Sequence, residues 1–183
     1  MKLRFILFLF YFSFILPTFG QNKIKWSSSD QISDRVQKGN KKFIVYFYYE
    51  GCKWCKHLED QTFDNDNVAK FINQNFDAFK INAQTENKIT IGDRTYTSVR
   101  IGKFDFSELA AELLMGDMSF PAIVFMDEKF NKIQSHSGFL DQKSFEMLLS
   151  YFAGNHHKNT LFKRYVNSYC KESHFNSLVS DKN

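Results

Sequence analysis

A seven-residue run, Phe43-Ile-Val-Tyr-Phe-Tyr-Tyr49, leads through Glu50 and Gly51 into Cys52-Lys53-Trp54-Cys55. The run is apolar on both faces: Phe43, Val45 and Phe47 alternate with Ile44, Tyr46 and Tyr48. A central strand covered by helices on both sides requires that pattern. The stretch beyond is polar and helix-compatible, so Cys52 falls at the amino end of a helix. Unpaired N–H groups and the positive end of the helix dipole favour a thiolate there. A spacing of three sets Cys55 about one helical turn below Cys52, close enough for a small-ring disulfide. That is the geometry of dithiol–disulfide exchange, in which one thiolate attacks and the second thiol resolves. Half of a zinc site has the same spacing. The sequence has three cysteines and no second C-x-x-C, which excludes a Cys₄ zinc site within one chain and makes redox chemistry the stronger reading.

Residues 1–20 read as a secretory signal. Lys2 and Arg4 supply a positive start, Phe5 to Leu16 is mostly apolar, and Pro17 breaks the run before Thr18-Phe19-Gly20. As a helix the apolar run would reach about 18 Å, short of the roughly 30 Å hydrocarbon core. An uncleaved anchor is therefore the lesser alternative, and would be the chain's one link to a membrane. Export to the periplasm or beyond places the thiols where disulfide chemistry operates. The formal charge of +4 includes Lys2 and Arg4. No basic run exceeds two residues, so nucleic-acid binding has no support.

The rest divides into one domain over 21–153 and a helical extension with a tail over 154–183. Ile24-Lys25-Trp26 suits a short edge strand; Ser29 or Asp30 caps a helix carrying Ile32 and Val36, closed by Gly39. The cysteine helix is expected to run to about Gln61. Asn65 or Asp66 caps the next helix, and Asp77 to Ala83 follows as a core strand. Residues 84–104 read as an inserted, polar-faced hairpin. Asp105, with Glu108 three residues on, predicts a capped helix with Phe106, Leu109, Ala110, Leu113 and Leu114 inward. Ala122–Met126 and Lys132–Ser137 are joined too tightly to be anything but antiparallel. Asp141 caps a helix burying Phe145, Leu148, Leu149 and Phe152. A last helix, started by Leu161 or Phe162, carries Tyr165, Val166 and Tyr169, with Cys170 on its apolar face as a packed thiol.

This order of elements, with C-x-x-C after a core strand and Pro121 just before a later one, resembles the thioredoxin fold over about residues 24–153. The implied class is α/β: a central mixed sheet flanked by helices on both faces, with a hairpin insertion and a C-terminal helical extension. Cys52-Lys-Trp-Cys55-Lys-His-Leu-Glu59-Asp-Gln-Thr62-Phe63 is similar to the periplasmic C-terminal domain of the DsbD reductases. Glu108 to Pro121 resembles secreted thioredoxin-like proteins of Bacteroidetes-type bacteria. The chain departs from thioredoxins at Tyr46, where they bury an aspartate, and at Gly51, where they place tryptophan. Lys53-Trp54 replaces their Gly-Pro.

The resemblance implies a thiol–disulfide oxidoreductase that reduces protein disulfides, with oxidation or isomerisation as the alternative direction. Cys52 is the nucleophile and Cys55 the resolving thiol. Pro121 is expected to be cis and to keep substrate backbone in register, with Trp54 and Phe120 forming an apolar rim. Glu59 shares the helical stripe of Cys52 and Cys55 and is placed to carry the proton of Cys55. Lys53 favours the Cys52 thiolate and Glu50 opposes it. A reductant in an oxidising compartment needs resupply, so a membrane electron donor is the implied partner. No organic cofactor is required, and a monomer is expected. From another class, a copper chaperone could use the same two thiolates with a histidine, but His57 lies off the stripe, in water, and His136 is remote in sequence.

Overall fold

The apolar run from Phe43 becomes the middle strand of a five-stranded sheet. The computed structural model describes residues 22–169. In chain order these form β1 (Trp26–Ser27), α1 (Ile32–Lys38), β2 (Lys42–Tyr48), α2 (Lys53–Leu58), α3 (Asp66–Asn75) and β3 (Phe76–Asn82). Four short strands follow: β4 (Ile89–Ile91), β5 (Arg94–Tyr96), β6 (Ser98–Ile101) and β7 (Phe104–Ser107). The chain then runs through α4 (Glu108–Leu113), β8 (Ala122–Met126), β9 (Lys132–Ser137), α5 (Gln142–Ala153) and α6 (Phe162–Tyr169). The main sheet has the order β1-β3-β2-β8-β9, with β3 parallel to β1 and β2, and β8 antiparallel to β2 and β9. The mixed sheet and its flanking helices are those expected from the sequence.

Alternation along β2 divides the core in two. Phe43, Val45 and Phe47 pack with Ile32 of α1, Leu109 and Leu113 of α4, and the apolar side chains of the inserted strands. Ile44 and Tyr46 face the opposite way, onto Cys55 and Leu58 of α2, Val68 and Ile72 of α3, and Phe145 and Phe152 of α5. The two cysteines therefore belong to the α2/α3/α5 layer. Asn65 caps α3 through the amides of Asn67 and Val68, and Asp141 caps α5 through the amide of Ser144. Gly39 closes α1 with a left-handed φ of 58°, a conformation that favours glycine. In α6, Phe162 and Tyr165 pack on Tyr151 of α5, each at 5.1 Å between ring centroids.

Several local expectations are corrected. The first helix is not capped by Ser29 or Asp30: a 3₁₀ turn over Ser29–Gln31 precedes it, and no side chain accepts from its first amides. Helix α2 ends at Leu58, and Glu59–Phe63 continues as a π-helical turn. The insertion is two hairpins, β4–β5 and β6–β7, and extends to Ser107. Asp105 thus lies in a strand, where Arg100 Nε meets it at 2.7 Å. Helix α4 starts at Glu108 without a side-chain cap, and Oε2 of Glu108 instead accepts from the backbone N–H of Thr97 at 3.1 Å. Phe106 is buried as expected, but from strand β7. Leu161 is exposed, so the apolar face of α6 starts at Phe162. The leader, Cys170 and the tail lie outside the described residues.

Candidate active site

Gly51, at φ 80°, turns the chain from β2 into α2, and Cys52 stays extended as the residue preceding the helix. A β-carbon at Gly51 would find open space, so the left-handed backbone rather than crowding calls for glycine here. The backbone N–H of Cys55 donates to Sγ of Cys52 at 3.1 Å. Cys52 and Cys55 form a disulfide, with Cα atoms 5.2 Å apart. Both are buried, Cys52 at 6% exposure and Cys55 at 2%. Cys52 nevertheless lines an open pocket of about 510 Å³, together with Tyr48, Gly51, Cys55, Glu59 and Lys80. Lys53 and Glu50 are exposed on its margin. Below α2, the Thr62 hydroxyl donates to the carbonyl of Leu140 at 2.7 Å, tying the π-helical turn to the start of α5.

Glu59 is half-buried in the same pocket, and its carboxylate has two donors. The Tyr46 hydroxyl donates to Oε1 at 3.0 Å, and Nζ of Lys80 lies 3.0 Å from the same oxygen. The parallel register sets Lys80 beside Tyr46, and its ammonium also stands 4.7 Å from the ring centre of Tyr48. Burial, and then the adjacent Glu59 carboxylate, push the Tyr46 phenol far above its ordinary value, so it remains a donor at neutral pH. Tyr46 therefore does not remove polar chemistry from beneath the cysteines; it hands a hydrogen bond to a carboxylate on the helix. The alternation of β2 places Tyr46 on the correct face, but a tyrosine there reads as core. Only the cross-sheet register reveals Lys80.

The Phe120–Pro121 peptide bond is cis. Pro121 is buried, and its carbonyl accepts from the N–H of Gly138 at 2.7 Å. Trp54, Phe120, Pro121, Gly138 and Phe139 line an apolar hollow of about 250 Å³. Trp54 is 61% exposed, and Phe120 meets Tyr49 edge-on at 5.7 Å. The structure thus brings Trp54, Phe120 and Pro121 into one surface and adds Phe139, a loop residue that no periodicity singles out. His57 is exposed, yet it is not free in water: its ring packs against Phe139 at 4.7 Å and Trp54 at 5.7 Å. His136, on β9, is held below its ordinary value by burial. Among the described residues, no three His, Cys, Asp or Glu side chains form a group that could hold a metal ion.

Residues 30–153 match the family model of the thioredoxin-like domain. The chain belongs to the thioredoxin-like family. Among solved structures, a thioredoxin-fold protein from Helicobacter pylori superposes with a TM-score of 0.56 at 16% identity, over 72% of this chain and 85% of that one. Similarity at that identity shows the fold alone. The C-terminal domain of DsbD from Neisseria meningitidis aligns at 15% identity and a TM-score of 0.43, over 68% of this chain and 89% of that one. A curated relative, spermatogenesis-associated protein 20 of Mus musculus, is 30% identical over 56 residues. That match spans 30% of this thioredoxin-like chain and 7% of the relative.

Proposed function

We propose that this thioredoxin-like protein is an exported thiol–disulfide oxidoreductase that reduces disulfides of envelope proteins. The observation that carries the reading is the N–H of Cys55 on Sγ of Cys52, across a cysteine pair already at disulfide distance. In the reduced protein that donor, with the helix start behind it, stabilises a thiolate on Cys52. The thiolate attacks one sulfur of a substrate disulfide, whose S–S bond breaks as a mixed disulfide forms and one substrate thiolate leaves. Glu59 takes the proton of Cys55; the Cys55 thiolate then attacks Sγ of Cys52, and the second substrate thiolate leaves. The substrate gains two electrons, its two thiolates take protons from water as Glu59 returns the Cys55 proton to solvent, and the protein ends as the Cys52–Cys55 disulfide. A dithiol donor at the membrane restores the reduced pair. Pro121, Phe120 and Trp54 offer the surface on which the substrate chain rests.

Trapping in the native envelope tests this reading. Cys55→Ser should accumulate protein partners as mixed disulfides, released by dithiothreitol, while Cys52→Ser should hold few. Intact-mass analysis of the same preparation should find a mature chain beginning near Gln21. Equal trapping by the two variants would count against Cys52 as nucleophile, and a full-length, membrane-retained chain would count against cleavage of the leader.

A further inference from the structure

Hairpin β6–β7 sorts its side chains completely. Its register pairs Val99 with Phe106 and Ile101 with Phe104. Residues directly opposite in an antiparallel pair share a face, as do residues two apart along one strand. One face therefore carries Val99, Ile101, Phe104 and Phe106, and the other Ser98, Arg100, Asp105 and Ser107. The inner end of the apolar face is covered: Phe106 is 7% exposed and stacks on Phe120, with ring centroids 6.0 Å apart. The outer end is open. Phe104 lies 6.2 Å from Phe106 and is 59% exposed, and Val99, opposite Phe106 and diagonal to Phe104, is 37% exposed. Single exposed apolar residues are ordinary, but Phe104 continues a line of rings.

That line reaches the rim at Trp54, the residue between Lys53 and Cys55. Phe120 is shared between the hairpin, through Phe106, and the hollow formed with Trp54, Pro121 and Phe139. A substrate must bring a sulfur within bonding distance of Sγ of Cys52, so the residues flanking that sulfur cross this rim. We propose that the apolar face of β6–β7 is the outer part of the substrate-docking surface, and that Phe104, with Val99 beside it, selects polypeptide disulfides bearing an apolar side chain some four residues beyond the one that lies on Phe120, the reactive cysteine or its neighbour. The inference rests on the thiol–disulfide reading above. Two ring-to-ring steps of 6.0 and 6.2 Å lead from Phe120 to Phe104, so about four residues of extended chain, at roughly 3.3 Å each, reach from the rim at Phe120 to Phe104. A second copy of this chain suits the face less well. Two open side chains provide far less than the roughly 1,200 Å² of a stable interface, whereas a substrate released after each turnover needs little.

The test uses peptide disulfides with leucine four or five residues before or after the reactive cysteine, their serine counterparts, and hydroxyethyl disulfide as a probe without a chain. Wild type should favour one leucine peptide over its serine counterpart about five- to tenfold in kcat/KM, expressed in KM, as partial burial of one leucine allows. Phe104→Ser should lose that preference, and Leu161→Ser, altering an exposed residue of the C-terminal extension, should keep it. Equal handling of leucine and serine peptides by wild type overturns the inference, as does a preference that survives Phe104→Ser. If Phe104→Ser converts a dimer to a monomer in sedimentation while the preference holds, the face belongs to a second copy. Wild type inert toward hydroxyethyl disulfide removes the reading beneath the inference, and the inference with it. Activity on that probe without any peptide preference removes the inference alone.

Discussion

The hydroxyl of Tyr46 donates to Oε1 of Glu59 at 3.0 Å, linking the middle strand of the sheet to the π-helical turn that continues α2 beyond the cysteines. The Tyr46 ring is held independently, edge-on to Phe63 at 5.1 Å and tilted against Trp26 at 5.7 Å. Tyr46→Phe should therefore keep the packing and remove only the hydrogen bond. Since the buried hydroxyl leaves with its own desolvation cost, a loss of about 1 kcal/mol is expected. Urea unfolding of the oxidised protein measures it; an unchanged midpoint would mean that water replaces the phenol at no cost.

Glu59→Gln keeps the shape of the side chain and removes its basic site. Attack by Cys52 should survive, while resolution by Cys55 slows by about 10²-fold, the low end for general acid–base catalysis. Stopped-flow reduction of a disulfide substrate from pH 6 to 8 separates the two steps. Resolution rates within twofold of wild type would leave Glu59 as the ion-pair partner of Lys80 and nothing more.

Asp141 offers a pH-dependent check on the fold beneath the site. Its Oδ1 accepts the backbone N–H of Ser144 at 3.0 Å, and Oδ2 accepts the Ser144 hydroxyl at 2.7 Å. These bonds hold its carboxyl below the ordinary 3.8. A carboxyl depressed in the folded state stabilises fully above its unfolded value and loses that contribution as pH falls through the folded one. Asp141→Ala should thus cost about 1 kcal/mol at pH 7. Its unfolding curve should approach that of wild type as pH falls through the folded value, below 3.8, and the wild-type cap becomes protonated. A difference that stayed constant with pH would assign the loss to something other than the charged cap.

The two-faced strand β2, the C-x-x-C at a helix start and Pro121 before β8 were legible because each rests on local pattern. Asp105 misled for the same reason. Asp105 and Glu108 have capping-box spacing, but β6 pairs with 104–107 and Glu108 reaches Thr97 instead. Nothing within four residues distinguishes the two outcomes; the partner strand does. The site was likewise only half visible. Cys52, Cys55 and Glu59 share one helical stripe, whereas Tyr46 and Lys80 come to Glu59 through the β2–β3 register. Phe139 reaches Trp54 through the loop after β9. Such meetings depend on how strands pair and where loops end, which periodicity along one element does not encode.

The most direct test of the central claim is the reduction potential of the Cys52–Cys55 pair, measured by equilibration against glutathione or dithiothreitol buffers. A protein that reduces envelope disulfides should lie near the thioredoxin value of about −270 mV. A potential near −120 mV, that of a strong oxidant, would contradict the proposal and make the protein a donor of disulfides.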